Sequence, residues 1–385
     1  MNPEAPAQET HSPVQAASNE GIVAMGEFNG SSNAVEAAPA VAPAIFIAGA
    51  SRSGTTLMSF VMRRHPLVAG LKELQYFGEF FTPGAPVRQL GEAEAIKIVA
   101  TLFARQEQGI LRGRPNPENF AEALRFVRGL EVDQLRSDTL FSAVVAHMAQ
   151  ALDKPIPCEQ TPRNIFYVQE LLKLYPQARF IVMVRDPRAV LASQKMRWRR
   201  RKLASAESRV PLRESIRARI NYHPLTMARL WNRAQERLRQ VADDPRVLTV
   251  RFEDLLTEPE ATIRAICAHC EIEFEPDMLE IEQVNSSHES SGSQKGFNRK
   301  TAEAWQKLLE PAELGVINGR CHRGMRQHGY LTSEEQQAAA DAPESLRPKL
   351  TYLLHLAGVV AINPRRAWIQ LKGLRGRAGS QKPAP

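Results

Sequence analysis

Ala44-Ile45-Phe46-Ile47-Ala48-Gly49-Ala50-Ser51-Arg52-Ser53-Gly54-Thr55-Thr56-Leu57 runs from five apolar residues into a Gly/Ser loop, and the stretch that follows to Met62 has helical character. A short apolar run bounded by glycine reads as a buried strand, so the unit is strand, loop, helix. The same grammar returns at Ala178–Val184, followed by the turn Arg185–Arg188 and a helix-like Ala189–Trp198. A third strand is expected at Val247–Phe252. Apolar strands separated by helices predict an α/β fold, a parallel sheet covered by helices on both faces. Spaced apolar positions and scarce glycine predict helical insertions over residues 90–150 and 205–240.

The loop itself carries chemistry. Gly49 and Gly54 have the spacing of a P-loop, in which backbone N–H groups and a helix N-terminus hold phosphate oxygens. The lysine that such loops place on β- and γ-phosphates is replaced by Thr55, which counts against ATP or GTP hydrolysis. Ser51, Ser53, Thr55, Thr56 and the fixed cation Arg52 add side-chain donors to the backbone cradle. At the second strand's end, Arg185 leaves the strand and Ser193 follows eight residues later on the next helix. Such a pair can converge on one anion at a strand-to-helix junction, and each alone reads equally as a salt-bridged arginine and a helix-surface serine.

The remaining sequence sets bounds. With 385 residues, 43% hydrophobic and 24% charged, the chain can bury one large core with room for extensions. A formal net charge of +8 favours anionic ligands but is too thinly spread to point to nucleic acid. Four cysteines, Cys158, Cys267, Cys270 and Cys321, are too scattered for a disulfide framework. Cys267 and Cys270 have metal-like spacing, but no second pair matches and Glu260–Cys270 reads as an amphipathic helix, so packing cysteines and no metal site are expected. Residues 1–42 lack apolar periodicity and are expected to be a disordered tail; residues 43–335 form the main domain and 336–385 a helical, basic extension. No Lys or Arg precedes Arg52, so a signal or transit peptide is not expected. Leu350–Ile362 is too short for a transmembrane span. With the basic residues around it, that segment reads either as a solvated tail or as a peripheral contact with an anionic membrane.

Taken with its context, the string Ser51–Leu57 resembles the PAPS-dependent sulfotransferase superfamily (PAPS, 3′-phosphoadenosine-5′-phosphosulfate). It is most similar to the branch of protein-tyrosine sulfotransferases and many bacterial enzymes, which carry proline where this chain has Ser51. The resemblance runs with gaps from Ile45 to Trp305. It implies the sulfotransferase fold, PAPS as donor, PAP as product, and no metal. It also implies that Arg52, Ser53, Gly54, Thr55 and Thr56 hold the 5′-phosphosulfate, and that Arg185 and Ser193 hold the 3′-phosphate with Arg197 in support. Val250-Arg251-Phe252-Glu253-Asp254-Leu255-Leu256 resembles a third family segment, in which tyrosine is frequent where Phe252 stands. Gln294-Lys295-Gly296-Phe297-Asn298, followed by Trp305, resembles the closing loop that lays a lysine, here Lys295, over the nucleotide; its composition also suits an ordinary surface loop.

The same resemblance places the catalytic glutamate on Glu73, anchored by His65-Pro66, with Arg52 assisting catalysis. A partly desolvated carboxylate can act as general base toward an acceptor hydroxyl; paired with Lys72 it would be an ordinary solvated glutamate. His65 is a second candidate base. Gln160, in Glu159-Gln160-Thr161-Pro162, departs from the lysine common in relatives, so Arg52, Lys72 or Lys295 has to supply the missing charge, or activity is slow or lost. A nucleotide-binding P-loop protein that is non-catalytic or differently specialised is the alternative. The acceptor stays open between sugar, phenol and peptide, because Lys72-Glu73 with Tyr76-Phe77 is also similar to a carbohydrate-sulfotransferase pattern. The basic run from Lys195 to Lys202 suits an anionic partner or a solvated helix face. A bacterial, cytoplasmic enzyme is the expected setting, since Golgi members carry an N-terminal anchor not seen here.

Overall fold

Strand β1 (Ile45–Gly49) is buried along its whole length, as an apolar strand covered on both faces must be. The computed structural model describes residues 44–196, 216, 222–281, 296–331 and 355. Around β1 lie β2 (Val68–Gly70), β3 (Ile156–Gln160), β4 (Arg179–Val184) and β5 (Val247–Arg251). They form a parallel five-stranded sheet in the order β2-β3-β1-β4-β5. Alternation along β1 divides the core: Phe46 and Ala48 face one apolar cluster, Ile45 and Ile47 the other. The chain turns to opposite sides of β1 on its way to β3 and to β4, so a crevice opens beyond the carboxyl end of β1, where ligands bind in such sheets.

The three strands read from the sequence are present. Strands β2 and β3 were not legible there. β2 has three residues, and β3 contains Pro157, Glu159 and Gln160, which are poor strand formers. What keeps these polar side chains buried at 3% and 5% exposure is hydrogen bonding to distant segments, described below.

Helix α1 (Thr55–Arg64) starts on Gly54 and packs on β2 and β3. The expected insertion is α2 (Glu92–Gln108), α3 (Pro117–Arg128) and α4 (Leu140–Gln150). α5 (Val168–Leu174) precedes β4. α6 (Pro187–Lys195) follows it, with Pro187 at its first position and the Asp186 carboxylate capping the Arg188 N–H. α7 (Pro224–Arg239), α8 (Phe252–Thr257), α9 (Pro259–His269) and α10 (Pro311–Gln327) complete the long elements. All four cysteines are buried thiols, and burial pushes Cys267 up to about 11 and Cys270 up to about 12, as packing residues require. Among the described residues no group of His, Cys, Asp or Glu is arranged to hold a metal ion. No helix among them is long and apolar enough to cross a membrane. The expected tail 1–42, the extension 336–385 apart from His355, residues 205–221 of the second expected helical stretch apart from Ile216, most of the basic run, and both Arg197 and Lys295 lie outside the described residues.

Candidate functional site

The loop after β1 is held by two glycines that no other residue replaces. Gly49 adopts φ +150°, and a Cβ there would lie 2.4 Å from the Met183 carbonyl oxygen; Gly54 adopts φ +93°, and a Cβ there would lie 2.2 Å from the Phe252 ring. Between them Arg52 takes φ 77°, a conformation costly for a side chain with a Cβ, of the kind that concentrates at binding sites. Helix α1 begins directly afterwards with no side-chain cap, so its N-terminal N–H groups and dipole face the loop. Ser53 and Thr55 are buried and Thr56 is exposed.

Arg52 is drawn toward the next strand. Its Nε and Nη2 donate to Ser193 Oγ at 3.0 and 2.9 Å. Its carbonyl accepts from Arg185 Nη1 at 3.2 Å. The loop arginine and the two residues singled out after β4 therefore form one cluster. Arg185 is 6% exposed; its guanidinium stacks 4.2 Å from the Phe252 ring centroid and donates to the Thr301 carbonyl. Burial lowers its pKa to about 10 against the opposing pull of Glu253, Asp186 and Tyr330, so it stays charged at neutral pH. Glu253 accepts from the Asp186 N–H at 3.1 Å and from the Tyr330 hydroxyl at 2.8 Å, which anchors the turn that presents Arg185. Phe252 thus serves as the platform under Arg185 and the wall behind Gly54.

Two buried polar atoms in this cluster, Ser53 Oγ and Arg185 Nε, have no hydrogen-bond partner among the described residues. Orphaned donors cost free energy unless a ligand meets them. A cationic, donor-rich crevice of this kind fits a phosphorylated anion.

On the other side of β1 in the sheet, Glu73 is half-buried in the turn after β2 and accepts from the Gln75 amide. Gln75 takes φ 52°. The N–H groups of Leu74 and Gln75 are held by Glu159 Oε1 (3.2 Å) and Thr161 Oγ1 (3.1 Å). Glu159, which the sequence reading passed over, also accepts from Thr161 Oγ1 and from Asn164 Nδ2. Burial pushes its carboxyl up to about 8; the hydrogen bonds from Thr161, Leu74 and Asn164 oppose this and the charge of Glu73 adds to it. Gln160 donates to Thr55 Oγ1 at 3.1 Å. Lys72 donates to the Glu107 carbonyl. His65 uses both ring nitrogens structurally, Nδ1 accepting from Leu67 N–H and Nε2 donating to the Glu273 carbonyl. Tyr76 and Phe77 are buried in the core, with the Tyr76 hydroxyl on the Ser137 carbonyl.

A family model described as the sulfotransferase family matches residues 43–276. A Caenorhabditis briggsae protein named among the protein-tyrosine sulfotransferases is 22% identical over 68% of this chain and 80% of its own length. Nodulation protein NoeE of Sinorhizobium fredii is 27% identical over 40% of this chain and 31% of that protein. Protein-tyrosine sulfotransferase 1 of Danio rerio is 26% identical over 63% of this chain and 57% of that protein. The matched regions thus take in less than two thirds of the last two relatives.

Proposed function

This chain belongs to the sulfotransferase family, and from that premise we propose that it moves the sulfuryl group of PAPS to an acceptor hydroxyl by in-line transfer, with Glu73 as general base. The observation that carries the reading is the joining of the glycine loop to Arg185 and Ser193 through Arg52, with a buried polar atom on each side, Ser53 Oγ and Arg185 Nε, that has no hydrogen-bond partner among the described residues. One element suits a 5′-phosphosulfate and the other a 3′-phosphate. Bound there, the donor supplies an activated sulfuryl group whose bond to phosphate breaks as the acceptor oxygen forms the new O–S bond.

The chain's own residues supply positioning, charge and proton transfer, the terms that dominate group transfer of this type. Ser53, Gly54, Thr55 and Thr56 hold the 5′ end with the α1 N-terminus. Arg185 and Ser193 hold the 3′-phosphate, joined by Arg197, and Lys295 closes over the nucleotide. Arg52 provides the positive charge that Gln160 does not. Lys72 is less suited, because its ammonium is engaged by Glu107 and burial lowers its pKa. Glu73 takes the acceptor's proton. The names of two relatives favour a tyrosyl or other phenolic hydroxyl over a sugar. We place the protein in the cytoplasm of a bacterium, with a domain spanning 43–335.

Calorimetry with PAP and ATP tests the donor: micromolar binding of PAP and none of ATP is expected. Labelled PAPS offered with a tyrosine peptide, 4-nitrophenol and an oligosaccharide tests transfer. Glu73→Ala is expected to lose at least a hundredfold in turnover while binding PAP normally, the scale of a general base; wild-type turnover by that variant refutes the assignment.

A further inference from the structure

The last residues of β3 and Thr161 after it touch both the turn that carries Glu73 and the start of α1. Along a strand, residues i and i+2 point to one face and i+1 to the other. Glu159 pairs in register with Phe46 and Gln160 with Ile47, whose side chains lie in opposite core clusters. Glu159 and Thr161 therefore share the face on which they meet the Leu74 and Gln75 N–H groups, while Gln160 points to the face of α1 and meets Thr55. Because the Thr55 oxygen accepts the Gln160 N–H, its own O–H is left to donate elsewhere. The Glu73 turn contains a non-glycine residue at positive φ, a conformation that persists only where surrounding bonds over-determine it.

We infer that Glu159, Gln160 and Thr161 form a two-sided brace: Glu159 and Thr161 are positioning residues for Glu73, Gln160 aims the Thr55 hydroxyl at the donor's 5′ end, and the strand fixes the separation of the two. The brace explains what Gln160 does in place of a cation, and it rests on the reading of Glu73 as base and of the loop as donor site. Glu159 serves as acceptor to three donors at once, two side chains and one backbone N–H, with Asn164 closing the far oxygen. The charged and titratable groups that act on it from its own face are Glu73 from the turn and Tyr175 at the end of α5.

The two sides are separable in the full-length chain. Gln160→Leu is expected to weaken PAP about tenfold by calorimetry, the scale of one net hydrogen bond, with amide exchange at Leu74 and Gln75 unchanged. Thr161→Val is expected to keep PAP affinity within about twofold. In the same variant, exchange at those two amides accelerates at least tenfold and labelled transfer to whichever of the three acceptors the wild type uses falls at least tenfold. Thr161→Ser restores both. If Thr161→Val does not fold, Thr161→Ala replaces it, and in every case the wild type must protect the two amides as strongly as β3 itself. Fast exchange at these amides in the wild type, or Thr161→Val indistinguishable from wild type, overturns the brace. A wild type that binds no PAP overturns the donor reading instead, and the exchange measurements still decide the Glu73 side.

Discussion

Glu159→Gln separates a titration from a packing change, because the buried carboxyl of Glu159 has its pKa raised to about 8 from an ordinary 4.5. A carboxyl raised in the folded state keeps its proton after the unfolded chain has released its own. Between about pH 4.5 and pH 8 the native state binds one more proton than the unfolded state, and stability falls as pH rises, by about 1.4 kcal/mol per unit. The contribution is complete below the unfolded value and exhausted above the folded one, a loss on the order of 5 kcal/mol from this group alone. Glutamine does not titrate. Its amide oxygen can still accept from Leu74 and Thr161, and its NH2 group requires the Asn164 amide to turn, for which Asn164 Oδ1, without a partner among the described residues, is available. That rearrangement shifts stability by an amount independent of pH.

Chemical denaturation followed by the fluorescence of buried Trp231, at steps from pH 5 to pH 9, should show the variant gaining on the wild type through pH 8 and then holding level. In a Glu73→Gln background, which removes the charge that adds to the effect of burial on Glu159, the gain should end at lower pH. A difference between wild type and variant that stays constant across the range would mean that Glu159 is ionised throughout and that burial does not raise its carboxyl.

Arg185→Ala should weaken PAP by a factor of about a hundred in calorimetry, because the charge-assisted bonds of a buried guanidinium are lost; Arg185→Lys should recover little, as it restores charge without the fork that reaches Arg52 and Thr301. Gly54→Ala should lower thermal stability and abolish PAP binding, since the methyl group meets the Phe252 ring at 2.2 Å. Gly54→Ala combined with Phe252→Ala should recover only part of the stability, because the φ of +93° remains unfavourable to any side chain.

The glycine loop, the strand ends that carry Arg185 and lead to Ser193, and the helices that follow them were legible in the sequence because each depends on local grammar: an apolar run, a glycine that has to turn, a helix start. That Arg52 joins the glycine loop to Ser193 was not legible, since the two are 141 residues apart. Glu253 belongs to a motif the sequence shows, but its work of anchoring the Arg185 turn depends on Tyr330, 77 residues further on. The deepest omission was β3. Its proline and two polar residues carry no strand signal, and Glu159 and Gln160 become tolerable inside the sheet only when Leu74, Asn164 and Thr55 arrive to satisfy them. Sequence alone therefore determined the strand, loop and helix grammar that carries the glycine loop and Arg185 to the carboxyl ends of β1 and β4. The tertiary structure decided which groups meet the end of β3, the Leu74 and Gln75 N–H groups on one face and Thr55 on the other, because a buried polar group is specified by its partners rather than by its neighbours in the chain.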